Sequence, residues 1–428
     1  MLVERAILGG TCLNHGCIPT KTLLHTFNML RSMQESARFG VVGNMGMLDI
    51  GKLLERRDDV ISILHSSMAQ QLAKYNVENI TGQASFNSPH EIKVHTFDDT
   101  VKIIHAAKVI IASGSVPKPM KVQGGNSPYI LYSNNLLELK SIPSQLIIIG
   151  AGAVGLELAT IMRRAGSSVC VVEIAPHILP YEDTEITSIL ERALIRDGIQ
   201  IYTGSTVHCI ESNSHVGKIN FTRAGVEMSL EADAICVCIG QQPELAHLGL
   251  ESAGVHYDTN GIKVDEHMRT NIPHIYAAGD ATGLSMLAYV ANAQGRIAAS
   301  NATGQNEVMD YNAIPRCVFA APEVASVGAS KSEASAKGID VRILRSSMAA
   351  NPYATIIGER RGMVKLVIEV GSSKLLGAQC VGNGAISLIS ECALAVKLGA
   401  ATHDLAYTLR PHPSLAEALQ EAALTDFD

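Results

Sequence analysis

Two cysteines near the N-terminus, Cys12 and Cys17, are the residues whose type and spacing most directly indicate chemistry. Cysteines five positions apart can form a disulfide only across a tight local bend, which Gly16 permits. Pro19 suits the first turn of a following helix, and the positive end of a helix lowers the pKa of a nearby thiol. Such a strained, accessible disulfide is easily reduced, which indicates catalysis. Taken alone, the pair could also be two buried thiols.

A glycine-rich segment in the middle of the chain indicates nucleotide binding. Gly150, Gly152 and Gly155 follow the apolar run 146–149 and precede a helical stretch, and Glu173 ends the next predicted strand. In this context the glycines let the backbone approach a pyrophosphate at the helix N-terminus. Glu173 would accept hydrogen bonds from ribose hydroxyls and repel a 2′-phosphate, which favours NAD over NADP. The alternative is a glycine-rich structural turn.

A histidine and a carboxylate lie close together near the C-terminus. His412 precedes Glu417 by five residues. A carboxylate at this spacing can fix the imidazole tautomer and raise its basicity, as a general base requires. On the residues alone, the alternative is a surface histidine beside a helix start that Ser414 caps.

The elements that must position these residues form an internal repeat. In the second copy of the repeat, short strands between about 206 and 230 precede a last apolar strand at 234–239. The front of the chain shows the same order, with short strands at 77–104 followed by an apolar run at 108–112. Glu173 lies 23 residues after Gly150, so if Glu4 is its counterpart the matching glycine falls before Met1. We therefore expect the first copy to lack its front strand, glycine turn and helix, and the reading frame to continue upstream of Met1.

Composition excludes several classes of protein. The net charge of −7, without a run of Lys and Arg, gives no face for nucleic acid, and no segment is typical of a membrane span or signal peptide. The irregular spacing of the nine cysteines indicates a reducing cytoplasm and no secreted disulfide framework. We interpret Cys236 and Cys238, on one face of a buried strand, as packing residues. The other cysteines resemble small apolar side chains, and no His/Cys cluster has metal-ligand spacing: Cys170, Cys209, Cys317, Cys380 and Cys392.

The stretch 9–21, Gly-Gly-Thr-Cys-Leu-Asn-His-Gly-Cys-Ile-Pro-Thr-Lys, resembles the redox-active segment of class I pyridine nucleotide–disulfide oxidoreductases. The similarity is greatest to the dihydrolipoamide dehydrogenase branch. It implies that Cys12 exchanges with a dithiol substrate and that Cys17 lies against a flavin and passes electrons to it. His15 fills a variable position, and we interpret it as a spectator. His412-Pro-Ser-Leu-Ala-Glu417 resembles the family's C-terminal motif, in which the histidine reaches the exchange cysteine of the other subunit.

The same resemblance assigns cofactor sites. Asp280, in 270–280, would hold the ribityl hydroxyls of FAD, and the helix near Ala288 would direct its positive end toward the flavin pyrimidine. Lys21 would pair with Glu157 beside the flavin. Two departures from the family are Tyr289, where histidine is more frequent, and the segment 241–244, Gln-Gln-Pro-Glu. The implied FAD residues are Glu4, Lys21, Ala84, Gly114, Gly279, Asp280 and Ala288, and the implied NAD residues are Gly150, Gly152, Gly155, Glu157, Glu173, Val207 and Gly240.

The predicted fold is α/β, with two Rossmann-like dinucleotide-binding domains and a C-terminal α+β dimerisation domain. The FAD domain comprises 1–116 and 241–311, the inserted NAD domain 117–240, and the dimerisation domain 312–428. The implied function is oxidation of protein-bound dihydrolipoamide by a homodimer that uses FAD and NAD. The implied partner is a lipoylated carrier protein of a 2-oxo acid dehydrogenase or glycine cleavage complex.

Three alternatives accompany this interpretation. A mercuric reductase is disfavoured because no cysteine pair ends the chain and the His412/Glu417 pair is present. A glutathione reductase is disfavoured by Thr20 in the redox motif and by Glu173, where NADPH binding would favour basic residues. The third is an inactive remnant that binds NAD or dimerises without retaining FAD.

Overall fold

The computed structural model describes residues 1–43, 47–127, 130–212 and 216–427. The helices are α1 (Gly10–Asn14), α2 (Cys17–Gln34), α3 (Ile50–Lys74), α4 (Ser133–Leu137), α5 (Ala153–Arg164), α6 (Thr184–Arg196), α7 (Ala288–Ala302), α8 (Lys331–Ala336), α9 (Pro352–Ile356), α10 (Ala385–Leu398), α11 (Thr402–Tyr407) and α12 (Glu417–Leu424). The first strands are β1 (Leu2–Glu4), β2 (Asn79–Ser88), β3 (Glu91–Thr96), β4 (Val101–His105), β5 (Val109–Ile111), β6 (Ser115–Pro117), β7 (Ile130–Tyr132), β8 (Gln145–Ile149), β9 (Ser168–Val172), β10 (Gln200–Tyr202), β11 (Ser205–Ser212) and β12 (Gly217–Arg223). The remaining strands are β13 (Val226–Ala232), β14 (Ala234–Val237), β15 (Gln241–Pro243), β16 (Tyr257–Asp258), β17 (Gly261–Ile262), β18 (Ile275–Ala277), β19 (Arg316–Val318), β20 (Val324–Gly328), β21 (Val341–Ser347), β22 (Met363–Glu369) and β23 (Leu375–Val381).

These elements form two compact units. The first comprises 1–119, 134–141 and 239–309, and the second comprises 120–133, 142–238 and 310–428. Each unit draws on stretches that are far apart in the chain. The domain limits given by the sequence therefore stay predictions.

The first unit contains the front copy of the repeat. Strand β1 pairs in parallel with β2, which continues into the antiparallel strands β3 and β4. Strand β5 pairs in parallel with β18 in a separate small sheet. The core of the unit joins these sheets through buried residues such as Ile80, Val94 and Ile275. Helices α2 and α3 pack against each other.

The second unit contains the complete copy, a parallel sheet in the order β10-β9-β8-β14-β7. Its central strand β8 is fully buried from Leu146 to Ile149, as a parallel strand covered on both faces requires. Strand β8 leads to α5, which packs against it and against β9. Strands β11, β12 and β13 form the antiparallel meander that the repeat predicts.

The C-terminal part of the second unit is an antiparallel sheet in the order β19-β20-β23-β22-β21. Helices α10 and α12 pack against this sheet. Along each strand, every second side chain points away from these helices, because successive residues of a strand face opposite sides of the sheet. This sheet with its helices confirms the predicted α+β pattern at the C-terminus.

Most secondary-structure predictions are confirmed, and two differ. The last strand of the second copy ends at Val237 and not at Ile239, because the chain leaves the strand at Cys238 and bends at Ile239 before β15 begins at Gln241. Helix α3 was not predicted, and only Leu53 of its residues is buried. Within the described residues, no helix is long and apolar enough to cross a membrane.

Candidate active site

The two N-terminal cysteines lie on consecutive helices. Cys12 is within α1, and Cys17 is the first residue of α2. Gly16 connects them as the N-cap residue of α2, which has no side-chain cap. A Cβ atom at Gly16 would lie 3.0 Å from the carbonyl oxygen of Thr11, so the close turn favours glycine. Pro19 lies in the first turn of α2, as the sequence predicts.

The electrostatics of the pair distinguish the two sulfurs. A hydrogen bond with Cys17 and partial burial raise the pKa of Cys12 far above its usual value, while the positive charge of Lys21 acts in the opposite direction. This direction favours Cys12 as the sulfur that keeps the proton of the dithiol. Cys17, at the N-terminus of an 18-residue helix, is the sulfur that the helix dipole favours as a thiolate.

Polar side chains hold the segment that carries the cysteines. The amide of Asn14 donates to the carbonyl oxygens of Leu8 and Gly10, at 3.1 and 3.0 Å. The side-chain oxygen of Asn14 lies 2.7 Å from Nε2 of His65 on α3. His15 Nδ1 lies 3.5 Å from a carboxylate oxygen of Glu138. His15 thus lies beside a carboxylate at the surface, and its interpretation as a spectator stays a prediction.

The predicted flavin residues near Asp280 form a polar cluster. The hydroxyl of Ser115 donates to Asp280 Oδ2 at 2.5 Å. The backbone N–H of Gly279 donates to the buried side chain of Gln294 on α7 at 2.7 Å, which fixes the turn before Asp280. Helix α7 begins at Ala288 without a side-chain cap. Its N-terminal amides can therefore hold an anionic oxygen, and this cluster fits the polar part of a flavin.

Glu4 and Glu173 occupy equivalent places in the two copies of the repeat. Glu4 ends β1, and Glu173 directly follows β9. In each copy the carboxylate accepts the backbone N–H two residues later, from Ala6 at 2.9 Å and from Ala175 at 2.8 Å. Ala84 lies on the neighbouring strand β2, opposite Val94. The shared contact supports the alignment of the copies on which the Glu4 assignment depends.

The glycine turn of the second copy has the geometry that a nucleotide site requires. Gly150 adopts a φ of +107°, which disfavours residues with a side chain. A Cβ atom at Gly155 would lie 2.1 Å from the carbonyl oxygen of Gly150, so α5 and the turn are in direct contact. Gly152, the N-cap residue of α5, has open space around it and no side-chain cap. The turn and the helix start thus fit a pyrophosphate.

Glu173 is fixed by two backbone amides. Its side chain is buried, with 8% of the residue exposed. One oxygen accepts the N–H of Ala151 in the glycine turn at 2.6 Å, and the other accepts the N–H of Ala175. The carboxylate is therefore held beside the turn, and its remaining lone pairs suit ribose hydroxyls.

The other predicted nucleotide residues differ in their surroundings. Val207 is buried on β11 beside an irregularity of the strand. Gly240 has a φ of +104°, and its carbonyl oxygen accepts the N–H of Lys118 at 3.0 Å. Glu157 is buried in α5 and accepts the N–H of Phe319 at 2.9 Å. Its pairing with Lys21 stays a prediction.

His412 and Glu417 form the predicted pair. His412 Nδ1 lies 2.8 Å from Glu417 Oε1, and the other carboxylate oxygen accepts the N–H of Ser414 at 2.7 Å. The hydrogen bond with His412, followed by that from Ser414, lowers the pKa of Glu417. The His412 side chain is 70% exposed. Because Nδ1 is engaged by Glu417, Nε2 is the nitrogen left to accept a proton from a substrate.

The remaining cysteines are consistent with packing. The sulfur atoms of Cys236 and Cys238 lie 3.6 Å apart. The hydrogen bond between them and burial raise the pKa of Cys236 well above its usual value, and burial alone raises that of Cys170 to about 12. Cys236 and Cys170 are therefore favoured in the protonated form. In the part of the chain that the structure describes, no group of three or more potential ligands could hold a metal ion.

Three contributors to the site were missed by sequence reasoning. Ser115 was not among the predicted site residues, yet it hydrogen-bonds to Asp280 across 165 positions. Gln294 carries no motif, although its place on the helix after Asp280 was a usable signal. Asn351, whose amide donates to the carbonyl oxygen of Ser414 at 2.9 Å, has no local signal at all.

Comparison with protein families gives two matches that together cover most of the chain. Residues 1–295 match the pyridine nucleotide–disulphide oxidoreductases. Residues 314–423 match the dimerisation domain of the same family.

Comparison with individual proteins agrees with the family matches. The chain is 35% identical to a dihydrolipoyl dehydrogenase of Bacillus subtilis, covering 99% of this chain and 93% of that protein. It is 37% identical to a dihydrolipoyl dehydrogenase of Thermus scotoductus, over 99% of this chain and 91% of the relative. That the front of the flavin domain is missing stays a prediction.

Two solved structures share the fold. LpdA from Mycobacterium tuberculosis superimposes with a TM-score of 0.91 at 27% identity, covering 99% of this chain and 92% of that one. The HOCl-induced flavoprotein disulfide reductase RclA from Escherichia coli gives a TM-score of 0.86 at 27% identity, covering 99% and 93%.

Proposed function

Because the chain belongs to the pyridine nucleotide–disulphide oxidoreductases, we propose that it oxidises protein-bound dihydrolipoamide with NAD⁺ as the final acceptor. The observation that carries the proposal is the arrangement of Cys12 and Cys17, a proton-holding sulfur beside a sulfur at a helix N-terminus. The names of relatives at 35–37% identity support the choice of substrate.

The thiol chemistry follows from the roles of the two sulfurs. In the oxidised enzyme Cys12 and Cys17 form a disulfide. A substrate thiol loses its proton to Nε2 of His412, and the resulting thiolate attacks Cys12 and breaks the disulfide. Cys17 leaves as a thiolate, because the start of α2 stabilises its charge. The second substrate thiol then attacks the mixed disulfide, which closes the lipoyl disulfide and releases Cys12.

The cofactor residues complete the electron path. FAD supplies a two-electron carrier between the Cys17 thiolate and NAD⁺. Asp280 and the N-terminus of α7 would hold the flavin, with Lys21, Glu4, Ala84 and Gly114 as further contacts. The balance of the reaction is dithiol plus NAD⁺ giving disulfide, NADH and a proton.

The nucleotide would bind at the glycine turn of the second copy. Gly150, Gly152 and Gly155 would admit the pyrophosphate, with Glu173 on the ribose and Val207 and Gly240 nearby. The buried, doubly hydrogen-bonded carboxylate of Glu173 supports NAD over NADP, since it has no freedom to move away from a 2′-phosphate.

We also propose that the active form is a homodimer. The match of residues 314–423 to a dimerisation domain supports this. The exposed His412 would then act on Cys12 of the partner subunit. The proposed substrate carrier is a lipoylated protein of a 2-oxo acid dehydrogenase or glycine cleavage complex, in the cytoplasm.

The proposal is tested by exchanging single sulfur atoms. We expect the purified protein to be yellow and to reduce NAD⁺ with dihydrolipoamide. Cys17→Ser and Cys12→Ser should each abolish this turnover, whereas Cys209→Ser, outside the pair, should leave it unchanged. If Cys17→Ser turns over dihydrolipoamide at the wild-type rate, the electron path through the disulfide does not exist.

A further inference from the structure

One side chain from each strand of the antiparallel sheet belongs to a continuous polar row. The strand register pairs Arg316 with Ser326 and Ser326 with Gln379. It then pairs Gln379 with Lys365, and Lys365 with Arg345. These five residues, here called the polar row, alternate with residues of the apolar core under α10 and α12. The row therefore lies on the opposite face of the sheet, where α6 packs against β20 and β23.

Lys365 is the buried centre of the row. Its side chain is 5% exposed. The ammonium group donates to Asp183 Oδ2 at 2.7 Å and to Glu185 Oε2 at 2.9 Å. Asp183 is also the N-cap residue of α6, since it accepts the N–H of Glu185 at 3.0 Å. Lys365 thus binds both carboxylates at the start of this helix.

The two ends of the row repeat this contact. Arg345 donates to both oxygens of Glu185, at 2.8 and 3.0 Å. These hydrogen bonds, with those of Lys365, lower the pKa of Glu185 to about 2. Arg316 donates to Glu182 at 2.8 Å. Three cationic side chains of the sheet therefore bind three carboxylates that lie within the four-residue stretch 182–185.

Close packing alone does not require such a row. Ser326 and Gln379 are almost fully buried. In the described residues, Ser326 Oγ and Gln379 Oε1 have no hydrogen-bond partner. Apolar residues would seal a helix to a sheet at no such cost, because burying charged and unpaired polar groups is unfavourable. What the row provides is a set of ion pairs and hydrogen bonds that hold the start of α6.

The segment that this position controls reaches the nucleotide site. Residues 174–182 connect Glu173 to the N-cap residue of α6. The N–H of Glu182 donates to the carbonyl oxygen of Leu179, and the N–H of Leu179 donates to the carbonyl oxygen of Ala151 in the glycine turn, both at 2.9 Å. Leu179 adopts a φ of +47°, which a leucine keeps only when its surroundings impose it.

We propose that Lys365 is a positioning residue for the nucleotide site: through Asp183 and Glu185 it fixes the 174–182 segment, and thereby the glycine turn and Glu173. This inference rests on the proposed function, because it presupposes that NAD binds at that turn. Lys365 itself does not contact the nucleotide. Its replacement should weaken NAD binding without changing the thiol chemistry.

The test compares Lys365→Met with wild type in two measurements on the whole flavoprotein. The first is the dissociation constant for NADH, obtained from the fluorescence of NADH itself, which we expect to rise about tenfold. The second is the rate at which dihydrolipoamide reduces the enzyme in a single turnover without NAD, which should stay within about twofold. Lys331→Met removes an exposed lysine of the same domain and is the matched control.

Arg345→Met keeps the experiment informative if Lys365→Met fails to fold. This arginine is 46% exposed, so its loss should be tolerated, and we expect a rise of about threefold in the NADH dissociation constant. A purely structural role would lower the melting temperature of these variants and leave NADH affinity intact, which would overturn the inference. If wild type itself fails to bind NADH, the proposed function falls and this inference with it.

Discussion

The pair of His412 and Glu417 offers the sharpest test of the mechanism, because two replacements of Glu417 separate charge from orientation. Glu417 accepts a hydrogen bond from His412 Nδ1 and another from the N–H of Ser414. Glu417→Gln removes the negative charge and keeps an oxygen that can accept from Nδ1. Glu417→Ala removes both, so the imidazole loses its fixed tautomer and direction.

The expected magnitudes differ because the site is exposed. The His412 side chain is 70% exposed, so the charge of Glu417 should stabilise a developing imidazolium by only about 1 kcal/mol. This energy corresponds to a decrease of about fivefold in kcat for Glu417→Gln. Loss of an oriented general base costs more, and we expect a decrease of about 100-fold for Glu417→Ala.

The assay follows NADH formation from dihydrolipoamide and NAD⁺ between about pH 6 and about pH 8. Since the hydrogen bonds from His412 and Ser414 lower the pKa of Glu417, this carboxylate stays ionised across the whole range and loses its charge only in stronger acid. Any change with pH in the ratio of wild type to Glu417→Gln should therefore come from the imidazole of His412, and not from protonation of Glu417. Reduction of a dye by NADH bypasses the dyad and should be unchanged in both variants.

Glu421→Gln, which alters an exposed glutamate on the same helix, is the control and should behave as wild type. The reasoning is refuted if Glu417→Ala retains kcat within twofold of Glu417→Gln. In that case the carboxylate contributes nothing by orienting the imidazole. A decrease that also appears in the dye reaction would instead indicate damage to the flavin or nucleotide site.

Two further predictions concern the cofactor sites. Gly155→Ala should lower the free energy of unfolding by about 1–3 kcal/mol in chemical unfolding, because the added Cβ would contact the carbonyl oxygen of Gly150. Gly152→Ala should leave that free energy unchanged, since its surroundings are open, and still weaken NADH binding. Equal stability of the two variants would contradict this prediction. Asp280→Ala should purify with less than about a tenth of the wild-type flavin content, measured by absorbance. Ser115→Ala removes only a hydroxyl that donates to Asp280 and should retain most of the flavin. Full flavin content in Asp280→Ala would remove this residue from the site.

Local pattern was sufficient for the parts of the site that lie close together in the chain. The sequence around Gly150 predicted a strand, a turn and a helix, and β8 and α5 have these positions. The five-residue spacing of His412 and Glu417 predicted their contact. In both cases the backbone geometry of a few residues determines the contact, so sequence spacing carries the information.

Contacts between distant strands could not be predicted in this way. Lys365 lies 182 positions from Asp183, and its neighbours in the polar row come from four other strands. In the sequence, each of these residues is a polar residue within a strand, and nothing nearby in the chain indicates which residue it contacts. Only the strand register brings them to one line, and register depends on the whole sheet.

The two copies of the repeat bear on the proposed preference for NAD over NADP. Glu4 and Glu173 make the same hydrogen bond to the N–H two residues later, which follows from the turn at the end of a parallel strand. Glu173 adds a bond to Ala151 in the glycine turn. The carbonyl oxygen of Ala151 also accepts the N–H of Leu179, which lies on the segment 174–182. Lys365 binds Asp183, directly after the far end of this segment. A carboxylate restrained from both sides cannot move to accommodate a 2′-phosphate, so preference for NAD should depend on the distant lysine as well as on Glu173 itself.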